Sequence, residues 1–236
     1  MPGAGIPFHP TSVSAEYGDQ QPVDFSRFIQ YIASGTAYTF GVMLIALPSG
    51  LLIGLVLAFA AVYGGKLAGK VLDLVSTVLR GIPPIVLLFI LYFVMSGTIN
   101  LSPFWAGSIS LGIISSAYQM EIFRGAILSV SGEQMMASRA IGMSKMQAIR
   151  YVVLPQMIRL AIPSWSNEAA IVIKDSSLVY AIGVPEILRR AQLISASTHQ
   201  PFLAYITAAL IYFVLVFVTN RLLGRVERKL TIPVNP

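Results

Sequence analysis

The chain of 236 residues is 56% hydrophobic and only 11% charged, where a soluble globular domain carries roughly 25% charged residues. This excludes a water-solvated globule of that size and makes a lipid bilayer the natural solvent, while the absence of cysteine excludes disulfides, thiolate chemistry and Cys-ligated metal sites. The formal charge of +6 is spread beside apolar segments and not gathered on one soluble face, so membrane topology accounts for it better than nucleic-acid binding.

Met1 to Gln21 is polar, holds Pro, Gly and Ser, and lacks the basic stretch and apolar core of a signal peptide. It reads as a surface tail. Three runs then carry no Asp, Glu, Lys or Arg: Phe28 to Gly65, Gly81 to Met120, and Ala191 to Asn220. A helix of about 20 apolar residues crosses the roughly 30 Å of bilayer hydrocarbon. Five spanning helices are expected, at about 36–63, 71–96, 104–127, 157–180 and 202–222, the fourth interrupted by Glu168, Lys174 and Asp175. The expected fold is therefore an all-α polytopic membrane protein. Gly50 and Gly54 in the first span form a small-xxx-small pair, which lets two helices approach closely.

Orientation follows from the basic residues of short loops. Lys66 and Lys70 lie in the first loop, and Arg124, Arg139, Lys145, Arg150 and Arg159 in or beside the third. Arg221, Arg225, Arg228 and Lys229 follow the last span. The second loop is uncharged, and the fourth has Arg189 and Arg190 partly offset by Glu186. The N-terminus is expected outside and the C-terminus in the cytoplasm. This gives an extracytoplasmic tail over 1–30, a spanning region over 31–223, and a cytoplasmic tail over 224–236.

The third loop, about 131–155, is built like a folded device. Ser131 with Gln134, and Ser144 with Gln147, both fit the capping box, in which a hydroxyl caps a helix start and an amide reaches back. Gly142 suits the left-handed position that ends a helix, and Pro155 is expected to end the second short helix. Met146, Ile149 and Val153 would form its apolar stripe, opposite Lys145, Gln147 and Arg150. Such an element either inserts into a groove on a partner or rests on the lipid headgroups.

Two charged residues fall at membrane depth. Arg80 precedes Pro83-Pro84, where missing backbone donors kink the helix. It either shapes a transport path or snorkels to the cytoplasmic surface. Glu168 is the stronger site candidate. A charge near the bilayer centre costs at least ~2.5–3.5 kcal/mol and usually faces a cavity or a partner. The partner reading would pair it with Arg80 or Lys174. Asn167 adds hydrogen-bonding capacity beside it, and Glu121 and Arg124 read as interhelical structure. The stretch Gly64 to Val71 approaches a phosphate-binding loop but lacks the terminal Ser/Thr and a preceding strand, so it reads as a basic turn. His9 and His199 have no metal-ligand spacing.

Aligned on Gly142, the third loop resembles the EAA loop of ATP-binding-cassette (ABC) importer permeases. The matching residues are Gln134, Ala137, Arg139, Ala140, Ile141, Gly142, Ser144, Leu154, Pro155 and Gln156. The family's Glu falls on Met136 and its second Ala on Ser138, with Glu133 one helical turn earlier. Other segments are similar to the polar amino acid subfamily, which includes histidine, glutamine, arginine and opine permeases. They are Arg80-Gly81-Ile82-Pro83, with Ile82 in place of Thr; Ser116-Ala117-Tyr118 with Glu121-Ile122-Phe123-Arg124; Asn167-Glu168 through Lys174-Asp175-Ser176-Ser177-Leu178; and Gly183-Val184-Pro185-Glu186. The similarity runs from about residue 30 to 229.

The resemblance implies a five-helix permease of the type I ABC importer kind, a multi-pass protein of a bacterial or archaeal cytoplasmic membrane. It implies partners: a dimer of ABC ATPase subunits, a second permease (identical or paralogous), an extracytoplasmic substrate-binding protein and membrane lipid, with no nucleic acid. ATP and Mg would be used by the ATPase, with no cofactor and no catalysis in this chain. Substrate contact would fall to Glu168, Asn167 and Arg80, the Glu meeting the ammonium of an amino acid. Coupling to the ATPase would fall to Glu133, Gln134, Met136, Ala137, Arg139, Gly142, Ser144 and Lys145. The competing reading, an ion-coupled secondary transporter, calls for internal repeats with broken helices at corresponding positions. Five spans do not divide into two such halves.

Overall fold

A computed structural model describes residues 25–130 and 132–230. Every element among them is helical: α1 (Phe25–Ala33), α2 (Thr36–Tyr63), α3 (Lys66–Gly81), α4 (Pro84–Ile99), α5 (Pro103–Ser129), α6 (Gly132–Ala140), α7 (Lys145–Ala148), α8 (Leu154–Asp175), α9 (Ile187–Thr198) and α10 (Pro201–Leu230). A π turn (Ile149–Val153) joins α7 to α8, and a 3-10 turn (Ser176–Ile182) follows α8. Helix is the element that satisfies its own backbone hydrogen bonds without water, as a bilayer demands. By length and apolarity, Phe25–Tyr63 and Pro201–Leu230 are each able to cross a membrane, and α3 with α4 makes a third, broken candidate.

That break corrects the single span expected over 71–96. α3 and α4 meet at 104°. The cause is local. A proline pushes its preceding residue out of the helical region, and two prolines in succession do this twice. Ile82 is extended (φ −95°, ψ 136°), and so is Pro83 (φ −55°, ψ 133°). Pro84 then opens α4 at a first-turn position, where its missing N–H costs nothing.

α5 is the hub, buried along most of its length. α2 lies against it through the two glycines. A Cβ on Gly54 would come within 2.9 Å of the Met120 nitrogen and the Ser116 carbonyl, and one on Gly50 within 2.6 Å of the Gln119 amide. Backbone atoms cannot yield, so only glycine allows this approach.

Three apolar clusters fill the interior. One joins Val42, Leu88, Leu111, Ile114, Val172 and Val179. A second, toward the end bearing α6 and α7, joins Ala58, Met120, Phe123, Val153 and Met157. The third, at the opposite end, packs Phe28 and Ile32 of α1 against Ile187 and Ala191 of α9 and Ala204 and Ala208 of α10. α1 straddles the expected boundary at residue 30 between tail and spanning region, and α9 lies in the expected fourth loop.

Glu186 locks that third cluster. It is fully buried and caps α9 by accepting from the backbone of Leu188 (2.8 Å) and Arg189 (2.6 Å). The Tyr212 hydroxyl of α10 donates at 2.6 Å to Oε2, the same oxygen that accepts from Leu188. Gly35 brings the α1–α2 corner against the same spot, since a Cβ there would meet the Glu186 carbonyl carbon at 2.6 Å. Glu186→Ala removes the cap and strands a buried phenol, and is expected to destabilise the chain by roughly 2 kcal/mol or more. Thermal unfolding of the detergent-solubilised protein measures this, and an unchanged midpoint would refute the locking role.

Candidate functional site

Glu168 sits on α8, one and a half turns beyond Pro163, and is only 4% exposed. One carboxylate oxygen accepts from the Ser115 hydroxyl at 2.7 Å. Ser115 in turn accepts from the Gln119 amide at 3.0 Å, which also donates to the Leu47 carbonyl at 3.2 Å. The Trp165 indole donates to the Gln119 oxygen at 2.8 Å. Trp165, Gln119 and Ser115 therefore each donate toward the next, and the chain ends on the carboxylate. It ties α2, α5 and α8 together around one anion. The second oxygen of Glu168 takes no hydrogen bond from any described residue.

The Glu168 side chain borders an open groove of about 870 Å³, part of it open to solvent, with Arg80, Tyr118, Glu121, Ile122, Pro163, Ser164, Asn167 and Ile171. Its other side meets a smaller pocket shared with Leu111, Ile114 and Asp175. The three residues singled out from sequence, Glu168, Asn167 and Arg80, thus line one space although they come from two distant segments. Asn167 is exposed in it. Neither ion pair weighed for Glu168 forms, since no contact joins it to Arg80 or Lys174 and its buried partner is Ser115.

Arg80 donates from Nε to the Ser76 hydroxyl at 3.1 Å and lies 3.9 Å from Glu121 Oε1, an oxygen without a hydrogen-bond donor. Arg124 bridges Asp73 (3.0 Å) and Glu121 (3.2 Å). These pairs staple α3 to α5 beside the groove, the interhelical role read for Glu121 and Arg124. Arg80 faces the groove with its guanidinium only loosely engaged. Such a space offers one guanidinium, an amide and two carboxylates, the buried Glu168 and Glu121 beside Arg80, so that it can receive a cationic group at Glu168 and an anionic one at Arg80.

The sequence reading did not find Ser115, Gln119 or Trp165. The available signal was Gln119, an amide inside a charge-free run, one residue beyond Ser116-Ala117-Tyr118.

The loop at the other end is a compact pair of helices. α6 ends in a Schellman motif: Met143 N–H donates to the Ser138 carbonyl and Gly142 N–H to that of Arg139, both at 3.1 Å. Gly142 has φ +89°. The Ser144–Gln147 capping box forms in both directions, at 2.7 and 3.2 Å. Ser131, the first half of the other expected box, lies outside the described residues, as does His9.

Two details of the loop depart from expectation. Pro155 does not stop the second helix. The π turn widens the backbone, Leu154 N–H bonding to Ile149 five residues back, and Pro155 then falls in the first turn of α8, where a missing donor is tolerated. The same turn rotates the expected apolar stripe. Val153 is buried with Ala148, Ile149 is half-buried, and Met146 points out at 71% exposure.

Comparison with known proteins agrees with this geometry. The family model described as "Binding-protein-dependent transport system inner membrane component" matches residues 50–232. The glutamine transport system permease protein GlnP of Escherichia coli (strain K12) is 35% identical over 207 residues, covering 86% of this chain and 94% of that protein. The octopine transport system permease protein OccQ of Rhizobium radiobacter is 33% identical, covering 82% and 87%. The arginine ABC transporter permease protein ArtQ of Haemophilus influenzae is 31% identical, covering 88% and 96%. A solved structure of an amino acid ABC transporter with histidines superposes with a TM-score of 0.80 at 33% identity, covering 89% of this chain and 99% of that one. A buried carboxylate over a groove, a capped two-helix loop and these likenesses converge, and the chain belongs to the family of binding-protein-dependent transport system inner membrane components.

Proposed function

We propose that the chain is the permease subunit of an ATP-driven ABC importer that carries a polar amino acid or close analogue across the cytoplasmic membrane. The observation that carries the reading is Glu168, a carboxylate fixed through one oxygen and open through the other at the wall of a groove that also holds Arg80 and Asn167. The ammonium group of an amino acid meets Glu168, and its carboxylate meets Arg80. The relatives whose names specify glutamine, octopine and arginine support the substrate class.

Energy enters from outside the chain. Two permease chains, identical or paralogous, form the path with five spans each. An extracytoplasmic binding protein delivers substrate, and two ATPase subunits that use ATP and Mg²⁺ engage residues 134–150 on the cytoplasmic side. The basic residues beside that loop and after the last span support an external N-terminus and a cytoplasmic C-terminus.

The test is uptake into proteoliposomes holding permease, ATPase and binding protein, with a panel of labelled amino acids. Accumulation of a polar amino acid that requires both ATP and the binding protein is expected. Uptake by the permease alone on an ion gradient would overturn the reading.

A further inference from the structure

One face of α10 passes from apolar to cationic along its length. Leu210, Phe213, Val214, Phe217 and Val218 are all exposed and fall within an arc of about 140° at 100° per residue. Arg221, Arg225 and Arg228 continue inside that arc, spread over about 60°, with Lys229 about 40° further round, and all four are exposed. Glu227, the one acidic residue of the helix, falls outside the arc, about 100° from Arg228. Leu222 and Val226, also exposed, border the cations on one side. The Arg221 guanidinium lies over the Phe217 ring at 5.1 Å, which joins the two halves of the face, and Arg228 donates from Nε to the Gly224 carbonyl at 3.1 Å. Both contacts leave terminal N–H donors for a partner.

Length places the change of chemistry at the membrane edge. The helix has 30 residues, about 45 Å at 1.5 Å per residue. Residues 201–220 carry no charge and cover about 30 Å, the thickness of the hydrocarbon. Arg221 therefore leaves the hydrocarbon at its boundary. Arg225 lies about 6 Å farther along the axis and Arg228 about 10 Å, across a headgroup layer roughly 5–8 Å deep. Long arginine stems reach back into that layer.

We infer that the basic end of α10 is a binding site for an anionic phospholipid, whose acyl chains lie on the Leu210–Val218 face and whose phosphate is held by Arg221, Arg225 and Arg228. The inference rests on α10 spanning the membrane and is independent of what the chain carries. The continuity of the face selects this occupant. An acidic surface on a water-soluble subunit matches the arginines but not the five apolar side chains in line with them. A free phosphate ion needs the arginines alone. A phospholipid presents both chemistries in the same order, and an anionic headgroup lacks the ammonium that three guanidinium groups would repel.

Native mass spectrometry of the full chain in detergent, titrated with phosphatidylglycerol or phosphatidylcholine, counts the bound lipid. One basic residue near an anionic lipid surface is worth about fivefold in affinity. Phosphatidylglycerol is therefore expected to bind at least about tenfold more tightly than phosphatidylcholine. R221Q/R225Q/R228Q is expected to bring the two within about twofold, while R221K/R225K/R228K, which keeps the charge, preserves the preference. Inorganic phosphate is expected not to displace the bound lipid. Equal affinities in the parent chain overturn the proposal whether or not the glutamine variant folds. A preference that survives in a folded glutamine variant does the same, and displacement by inorganic phosphate would reduce the site to one for free anions. Loss of a copurifying subunit from the glutamine variant, with its lipid preference intact, would assign the face to protein and overturn the proposal.

Discussion

Glu168→Gln is expected to lower the initial rate of uptake by roughly ten- to a hundredfold, the worth of one hydrogen-bonded charge, while the ATPase still copurifies. The substitution keeps the volume of the side chain and an oxygen able to accept from Ser115, so α5 and α8 stay joined. What it removes is the anion. A carboxylate inside a membrane protein is costly unless it serves a cavity or a partner, and the structure gives this one a single hydroxyl donor. Its remaining hydrogen-bonding capacity is left for whatever enters the groove. Proteoliposome uptake kinetics, read against ATPase assembly, separate the roles. Unchanged kinetics would make Glu168 a structural clamp and nothing more.

Gly142→Pro is expected to reduce substrate-stimulated ATP hydrolysis to its basal rate while the chain still inserts. Proline fixes φ near −65°, whereas the turn requires +89°. It also removes the N–H that donates to the Arg139 carbonyl. The α6–α7 corner then cannot close, and the outward face of the loop loses its shape. Gly142→Ala separates conformation from bulk, because no atom lies within 4 Å of a Cβ built there. Its cost is the left-handed backbone alone, about 1–2 kcal/mol, and a partial loss of coupling is expected. Stimulated hydrolysis at the parent rate in the proline variant would remove the loop from the coupling route.

What the sequence made legible follows from range. The α6–α7 corner rests on contacts of three to five residues, so Gly142, Ser144 and Gln147 announce it in order. The Gly50–Gly54 pair announced a close helix approach, although not that Gln119 and Met120 would fill it. Pro83-Pro84 signalled a disturbance, but whether two prolines make a gentle kink or a 104° break is settled by what α3 and α4 each pack against. The chain Trp165–Gln119–Ser115–Glu168 was illegible, because its partners lie 46 and 53 residues apart and Gln119 reaches 72 residues to Leu47. Nothing local marks which of several serines in α5 meets a carboxylate on α8. α1 and α9, at 9 and 12 residues, are too short for a spanning-length reading and show themselves only when Phe28, Ile32, Ile187 and Ala191 are seen to pack together. Pro155 misled for a related reason. A proline stops a regular helix, and the widened turn just before it is decided by packing.

From Lys145 to Ile182 the backbone never leaves a helical path, passing through the π turn, Pro155 and Pro163 on the way. At 1.5 Å per residue, about 35 Å of helical path joins Lys145 to Glu168 as one crankshaft. If the loop docks on the ATPase and Glu168 meets the substrate as proposed, a tug on that knuckle swings the carboxylate directly, and the widened coil is the natural place for the shaft to slip by a notch.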